Sequence, residues 1–429
     1  MHGDTRTTLW ALGERSIRDL ETERGILASS RTEIYGCIFG RDSLITSLKL
    51  LKVFEKTDDA YYLALVGKVL NNLAELQGRE MNPQSGEEPG KIIHEFRPDN
   101  HAYLTQRADG AWYLYPDGVL RNYDTADATA LFLMTSHAYL RAGGDIESFL
   151  PNIRAALMWM LEYGDSNGDA LFDYRIPAER TFGGLVTQSW MDSEESVFFE
   201  ERLGRPKYSI APVEVQAYSY AALRAWADYF AERDSSFAAT LPERAQSLKK
   251  AFNASFLIEE KHGGISLAFA IDGDGNQLIS PRSSMGHCLF AAWTPSPGAM
   301  PESVLDAEHI PGIARRLLKP DLYVPRAGIR TLSRRSSRFD PNSYHNGSIW
   351  PHDTMMCAEG LETFGFREEA KRVRASLVCA YTHFQTPLEL FVFDRGFAEY
   401  CDDRGQGACR VQAWSAAALL AALSGESVE

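Results

Sequence analysis

The feature that most constrains this chain is its hydrophobic rhythm: apolar residues recur at helical spacing along nearly the whole length, and no long segment shows the strict alternation of a half-buried strand. The periodic segments predict about twelve helices, near residues 5–24, 42–57, 59–78, 125–142, 149–164, 211–232, 240–257, 282–294, 302–319, 347–364, 366–383 and 410–424. The connections alternate in length. Short ones contain KTDD, RAGGDIES, ERDSSF and the Gly365–Phe366 pair, whereas long ones cover roughly 25–41, 79–124, 165–210, 258–281, 320–346 and 384–409. So much loop in a helical chain calls for a functional reason, and the alternation puts the long loops of six helical hairpins at one end.

A series of hairpins buries the inward face of every second helix only by closing into a ring, with the remaining helices outside. The expected fold is therefore all-α, an (α/α)6 barrel. SLITSLKLL, TADATALFLM, APVEVQAYSYAALRAW and VQAWSAAALLAAL are apolar or small on most faces, as inner helices wedged between neighbours must be. EEAKRVRASL is two-faced and suits the outer layer. No Pro/Ser-rich linker or break in composition interrupts the series, so residues 1–429 are expected to form one domain.

Composition excludes several function classes. A formal net charge of -14 opposes a phosphate backbone, so no nucleic-acid partner is expected. The start, MHGDTRTTLWAL, lacks the apolar run of a secretion signal, and no stretch approaches the roughly 18 apolar residues of a membrane span. A cytoplasmic protein with no membrane partner is expected; no sequence feature sets its oligomeric state. Six cysteines (Cys37, Cys288, Cys357, Cys379, Cys401 and Cys409) show no CxxC spacing, and the ten histidines form no HExxH. Neither a metal nor a cofactor is expected. Cys401 and Cys409 flank a Gly-bearing loop and would bridge only in an oxidising compartment. YGDSNGDALFDY, residues 163–174, spaces acidic residues somewhat like a calcium loop but lacks the closing Glu and reads as a Gly-rich turn, as does IDGDGNQ at 271–277.

The long loops and the helix starts they feed carry polar and aromatic residues of a consistent kind: Tyr35, Arg41 and Asp42; Glu95, Arg97, Tyr123, Asp124 and Asp127; Gln188, Trp190, Asp192, Glu214 and Gln216; Tyr344, His345, Asn346, Trp350 and His352; and Glu389. Aromatic platforms mixed with carboxylates and amides suit a carbohydrate, whose ring faces stack on aromatics and whose hydroxyls need donors and acceptors. Helix starts attract acidic residues for capping alone, so Asp42, Asp124 and Asp192 taken singly each read as a cap. Taken together beside Trp and Tyr at one mouth, they read as a site.

The runs YGCIFGRDSLITSL, KIIHEFR, YDTADATALFL, QSWMDSEES, APVEVQAYSYAAL, SSMGHCLF, IRTLS, SYHNGSIWPHD and PLELF resemble, in this order over residues 33–418, the glucosidase domain of amylo-α-1,6-glucosidases and related six-hairpin glycosidases. The resemblance implies an (α/α)6 barrel and an inverting, exo-acting α-glucosidase. It implies that Asp192 of QSWMDS is the general acid and Glu389 of PLELF the general base, and that Arg41 and Asp42 grip the innermost sugar. Tyr123, Asp124, Asp127 and Glu95 are similar to residues lining that pocket, and residues 344–352 resemble a rim of Tyr, His and Trp contacts. The family's usual Leu-Pro-Glu-Leu reads Pro387-Leu388-Glu389-Leu390 here. Polymer-debranching members carry an N-terminal β-rich domain where this chain begins in its first helix, so a small glycoside such as glucosylglycerate or mannosylglycerate is an alternative substrate.

Inverting hydrolysis needs one protonated carboxyl to assist the leaving oxygen and one carboxylate, roughly 6.5–9.5 Å away, to activate water on the opposite face of the sugar. Asp192, near Trp190, Glu194, Glu195, Glu200 and Glu201, is expected to have a raised pKa from burial and accumulated negative charge. Glu389, between Leu388 and Leu390, needs dedicated donors to stay ionised. Glu194 or Glu195 is the rival acid and Glu399 the rival base. Two other classes remain open: an isomerase or lyase on the same barrel using His287, His345 or His352, and a sugar-binding relative without chemistry.

Overall fold

The computed structural model describes residues 3–261, 263–296 and 298–425, so residues 1–2 and 426–429 of the expected domain lie outside the described residues. Among the described residues the helices, in chain order, are α1 (Gly3–Leu20), α2 (Gly40–Thr57), α3 (Ala60–Glu75), α4 (Ala102–Thr105), α5 (Ala128–Arg141), α6 (Leu150–Glu162), α7 (Val213–Ala231), α8 (Ser235–Ser255), α9 (His287–Phe290), α10 (Ile310–Leu317), α11 (Pro351–Thr363), α12 (Arg367–Phe384) and α13 (Ala413–Ser424). Helices α2, α5, α7, α9, α11 and α13 pack side by side in that order, and α13 returns to α2, which closes the ring. Outside it, α3 packs on α2, α6 on α5, α8 on α7, α12 on α11 and α1 on α13. This is the expected (α/α)6 barrel.

The sequence explains which helices go inside. Residues Ala413–Leu423 of α13 are all buried, and its alanines let the ring close tightly. Leu419, Leu420 and Leu423 are fully buried, each stabilising the fold by about 1.5–3 kcal/mol. Gly360 of α11 serves the same close approach: a Cβ there would sit 2.6 Å from the Phe290 nitrogen at the end of α9. The outer α12 instead buries Ala370, Val373, Leu377, Ala380 and Tyr381 on one stripe. Inside the ring, Lys49 of α2 and Glu359 of α11 form a fully enclosed ion pair, with Lys52 a further 3.5 Å contact to the same carboxylate.

Long connections enter the N-terminus of each inner helix, as the alternation predicts. They are not wholly irregular. Ile38–Phe39, Glu95–Arg97 and Leu120–Asn122 form a three-stranded antiparallel sheet that ties the 79–124 loop to the start of α2. Strands of two or three residues are too short to show an alternation, which is why they read as loop.

Four helices differ from expectation. Residues 21–26 turn back as a small hairpin, with Gly25 at φ +112, rather than extending α1. The eighth helix, expected over 282–294, is a 3₁₀ turn at Ser283–Gly286 followed by the single turn of α9, and the ninth, expected over 302–319, contracts to α10. Trp293 and Glu302 exchange backbone hydrogen bonds (2.9 and 2.8 Å), and Pro311 sits at the first turn of α10, so the apolar residues between them pack as loop. One connection at the far end of the barrel is consequently long, against the expected segregation. Helix α8 begins early, at Ser235, because Asp234 caps it by accepting from the Phe237 N–H at 3.1 Å. No helix is long and apolar enough to cross a membrane among the described residues.

Candidate active site

The long loops and the inner helix N-termini enclose one pocket. None of α2, α5, α7, α11 and α13 has a side-chain cap, so the acidic residues at these starts are not spent on capping. Arg41 and Asp42 from the first turn of α2 line the floor, with Gln412 and Trp414 from the start of α13 and Trp350 from the start of α11. Loop residues Tyr35, Trp190, Asp192, Tyr344, His345 and Glu389 form the walls, joined by Phe39 from the three-stranded sheet and by His94, which immediately precedes its middle strand.

Arg41 organises one side. Its Nε donates to Asp127 Oδ2 at 2.7 Å and its Nη1 to Asp192 Oδ2 at 3.0 Å, while Thr125 Oγ1 donates to Asp127 Oδ1 at 2.6 Å. Asp127 is fully buried behind the pocket, whereas Asp192, its side chain 26% exposed, faces it. Burial pushes the Asp192 carboxyl up to about 6, against the pull of Arg41. Opposite, both oxygens of Glu389 accept hydrogen bonds, Oε1 from the Tyr344 hydroxyl and Oε2 from the Cys409 N–H at 2.9 Å. The Tyr344 and Tyr35 hydroxyls lie 3.2 Å apart. Burial pushes Glu389 up to about 7, with Tyr344 and the Cys409 N–H opposing. Asp42, on the floor, accepts from Gln412 Nε2 at 3.1 Å and is pushed by burial up to about 8, with Asp192 and Glu389 adding to the rise against Arg41.

The values for Asp192 and Glu389 differ by about one unit, and Glu389 stands the higher. For two acids sharing a pocket the hydrogen bonds decide more than that order. Glu389 has a donor on each oxygen and would lose one by taking a proton; Asp192 has Arg41 on Oδ2 and can carry a proton on Oδ1.

The aromatic wall is rigid. His345 stacks on Trp350 (5.0 Å, 15°), Trp350 Nε1 donates to the Tyr344 carbonyl at 2.9 Å, and His345 Nδ1 meets the Ser193 hydroxyl at 2.9 Å beside Asp192. Burial, with Arg282 and Arg41 nearby, holds His345 well below the usual imidazole range, so it is neutral.

The remaining expected residues lie around the pocket rather than in it. Asp124 forms a two-pronged pair with Arg180 (2.8 and 2.7 Å), enclosed by Gly86 and Gly184, and Gln188 bonds to it at 3.4 Å. This clamp pins the 165–210 loop to the 79–124 loop. The Tyr123 hydroxyl donates to the Leu76 carbonyl at 2.9 Å in the core, and Glu95 pairs with Arg97 beside Cys37. Gln216 holds the backbone of Phe172 and Pro212, and Asn346 bridges Arg282 and the Glu195 carbonyl. Glu214 is wholly buried in the barrel without a hydrogen-bond partner among the described residues, and burial pushes it up to about 8. His352 stacks on Trp414 (3.8 Å, 14°) and is fully buried. These side chains read as site residues because inner-helix first turns and mouth loops supply both the pocket and its support. The rivals Glu194, Glu195 and Glu399 are exposed, two of them paired with Arg205 and Arg410.

Phe39, His94, Gln412 and Trp414 line the pocket without having been expected there. Gln412 and Trp414 had a signal, since they open the last inner helix as Asp42 opens the first; Phe39 lies in a strand, and His94 just before one, too short to detect. Asp165 accepts from the Gly168 and Ala170 N–H groups (2.7 and 2.9 Å), which makes the 163–174 segment a turn closed on itself. All six cysteines are free thiols, Cys401 and Cys409 included.

A helical ring with two carboxyls and an aromatic wall at one mouth defines a six-hairpin glycosidase. Residues 187–415 match the family described as the mannosylglycerate hydrolase MGH1-like glycoside hydrolase domain. The chain belongs to this family and is a glycoside hydrolase. Similar solved structures include the GH63 mannosylglycerate hydrolase from Thermus thermophilus in complex with Tris and D-glycerate (15% identity, TM-score 0.62, covering 96% of this chain and 99% of that one). The same enzyme in complex with Tris gives 16% identity and a TM-score of 0.60 over 96% and 99% of the two chains. A glycosidase variant in complex with glucose gives 13% identity and a TM-score of 0.57 over 98% of both. No curated protein sequence matches. The motif resemblance thus holds for six-hairpin glycosidases as a group and not specifically for debranching enzymes.

Proposed function

We propose that this protein is an inverting, exo-acting hydrolase of a small α-glycoside, a hexosyl-glycerate in the first instance, with Asp192 as general acid and Glu389 as general base. The observation that carries the assignment is the contrast in partners: donors hold both oxygens of Glu389, whereas Asp192 keeps one oxygen clear of Arg41. In this reading Asp192 gives its proton to the glycosidic oxygen as the bond to the anomeric carbon breaks. Glu389 takes a proton from the water that attacks the opposite face. Asp42 and Arg41 bind hydroxyls of the sugar, and Trp190, Trp350 and Tyr35 flank its ring. Hydrolysis of mannosylglycerate is named for the relatives, which supports glycerate as the leaving group.

The second reading is an amylo-α-1,6-glucosidase, favoured by the run of motifs over residues 33–418. A single barrel domain acting in the cytoplasm fits both, the free cysteines being compatible with a reducing compartment. Incubation with glucosylglycerate, mannosylglycerate, short α-glucosides and limit dextrins, with released sugar followed by NMR, separates the readings. Release of hexose and glycerate with inverted anomeric configuration is expected; turnover of limit dextrins alone would transfer the assignment to the second.

A further inference from the structure

Below the pocket, three inner helices share a buried polar relay that takes no direct part in the proposed acid–base chemistry. The Tyr218 hydroxyl of α7 lies 2.6 Å from His287 Nδ1 of α9, and His287 Nε2 lies 2.8 Å from Asp353 Oδ1 of α11. A neutral imidazole satisfies both contacts in one tautomer only, with its N–H on Nε2 donated to Asp353 and Nδ1 accepting from Tyr218. All three side chains are fully buried. Apolar residues would fill this space without the cost of desolvating a phenol, an imidazole and a carboxyl. Moreover, Asp353 Oδ2 has no hydrogen-bond partner among the described residues. A buried network left partly unsatisfied calls for a reason other than stability.

What the relay touches supplies that reason. The imidazole stacks with the rings of Trp190 (centroids 5.8 Å, 26°) and Tyr218 (6.0 Å, 28°). Trp190 is a wall of the pocket, two residues before Asp192, and its own hydrogen bond is a single one, from Nε1 to Ser284 Oγ at 3.1 Å. The rings of His345, Trp350 and His352 meet the indole edge-on (5.5, 5.8 and 5.0 Å), whereas the imidazole lies along its face. A phenyl ring in that place would have no bond to fix its plane, whereas an imidazole tied at both nitrogens has two.

We propose that His287 is a positioning residue for the hydrolytic site: held in one orientation by Tyr218 and Asp353, it sets the plane of Trp190, the wall against which the sugar and the Asp192 carboxyl are seated. The inference rests on the hydrolase reading, and a double-mutant cycle separates the two. Trp190→Phe, His287→Phe and the double variant are compared in kcat and KM on whichever glycoside of the panel above is cleaved fastest, well below each variant's melting temperature. His287→Phe alone is expected to lower kcat/KM by about tenfold, with KM raised, and to add less than about twofold once Trp190 is already Phe. Tyr218→Phe, which removes one hydroxyl, carries the same cycle should His287→Phe not fold. Costs that multiply, or a lowered melting temperature with unchanged kinetics, overturn the positioning role. If Trp190→Phe itself changes neither constant, the pocket assignment fails first.

Discussion

Tyr344→Phe tests the proposed base directly, because it keeps the ring that packs on His345, Trp350 and Tyr400 (4.6, 4.9 and 5.5 Å) and removes only the hydroxyl bonded to Glu389. A hydrogen bond to a buried charged group contributes about 1.5–3 kcal/mol. At about 1.4 kcal/mol per pKa unit, its loss raises Glu389 by roughly one to two units. Glu389 already stands at about 7 with Tyr344 in place. A general base works ionised, so activity is lost as pH falls through its pKa. The acid-side limb of kcat/KM against pH should therefore move up by roughly one to two units, and kcat/KM at pH of about 6.5 should fall some 10- to 100-fold, approximately as the pKa shift itself. The assay is a pH profile of kcat/KM for both proteins. If Glu389 were the acid, a raised pKa would instead carry the alkaline limb outward and extend activity to higher pH. That outcome, or two unmoved limbs, refutes the assignment.

Asp192→Asn and Glu389→Gln should each lower turnover by roughly 10²–10⁴ while sugar binding survives, and an activated leaving group should rescue the first more than the second. Near-normal turnover of Glu389→Gln, or retained anomeric configuration by NMR, moves the base elsewhere. Lys49→Met leaves the buried Glu359 carboxylate only the 3.5 Å contact of the half-exposed Lys52 and should cost up to about 3–5 kcal/mol in urea denaturation, largely recovered in Lys49→Met/Glu359→Leu; equal losses in both would show that the charges are not the issue. Arg180→Met leaves Asp124 buried without its guanidinium and should open the 165–210 loop to limited proteolysis, with a fall in kcat/KM; an uncleaved loop would contradict the clamp.

The barrel was legible because the constraint that makes it is periodic. A ring of hairpins needs helices apolar on most faces alternating with two-faced ones, and VQAWSAAALLAAL and EEAKRVRASL carry that contrast openly. The break around residues 291–309 was not legible, since apolar residues packed as loop under Trp293 look like a helix face until Pro301 and Pro311 are weighed against them. Site membership was legible only to the level of the mouth. Asp42 and Asp127 both stand at inner-helix starts, yet one lines the pocket and the other is sealed behind Arg41. Asp124 differs from both because Arg180, 56 residues downstream, draws it away, and no local pattern encodes that partner. Residue type and position along a helix place a carboxylate near the mouth; which way it turns depends on a cation brought in by the fold.

That dependence also explains how the pocket holds its acids. Asp42, Asp127, Asp192, Glu214 and Glu389 crowd the inner mouth, and Arg41 is the guanidinium that bonds to two of them. Five ionised carboxylates around one cation would repel strongly in a water-poor space, so some must keep protons near neutral pH. Two effects oppose full protonation. The N-termini of inner helices, each equivalent to roughly +0.5 charge, face the same mouth and favour the anionic forms. Donors such as the Cys409 N–H and the Tyr344 hydroxyl do so at one chosen carboxyl. Asp42 and Glu214, deeper and with few donors, are pushed to about 8, while Asp192 and Glu389 stay near 6 and 7. Burial raises all four of these. Arg41 at Asp192 and the two donors at Glu389 hold the carboxyls at the wall lower, in the range where one keeps a proton while the other is ionised; because Glu389 stands the higher, the proposed acid–base assignment relies on the donors at both of its oxygens to leave that proton on Asp192.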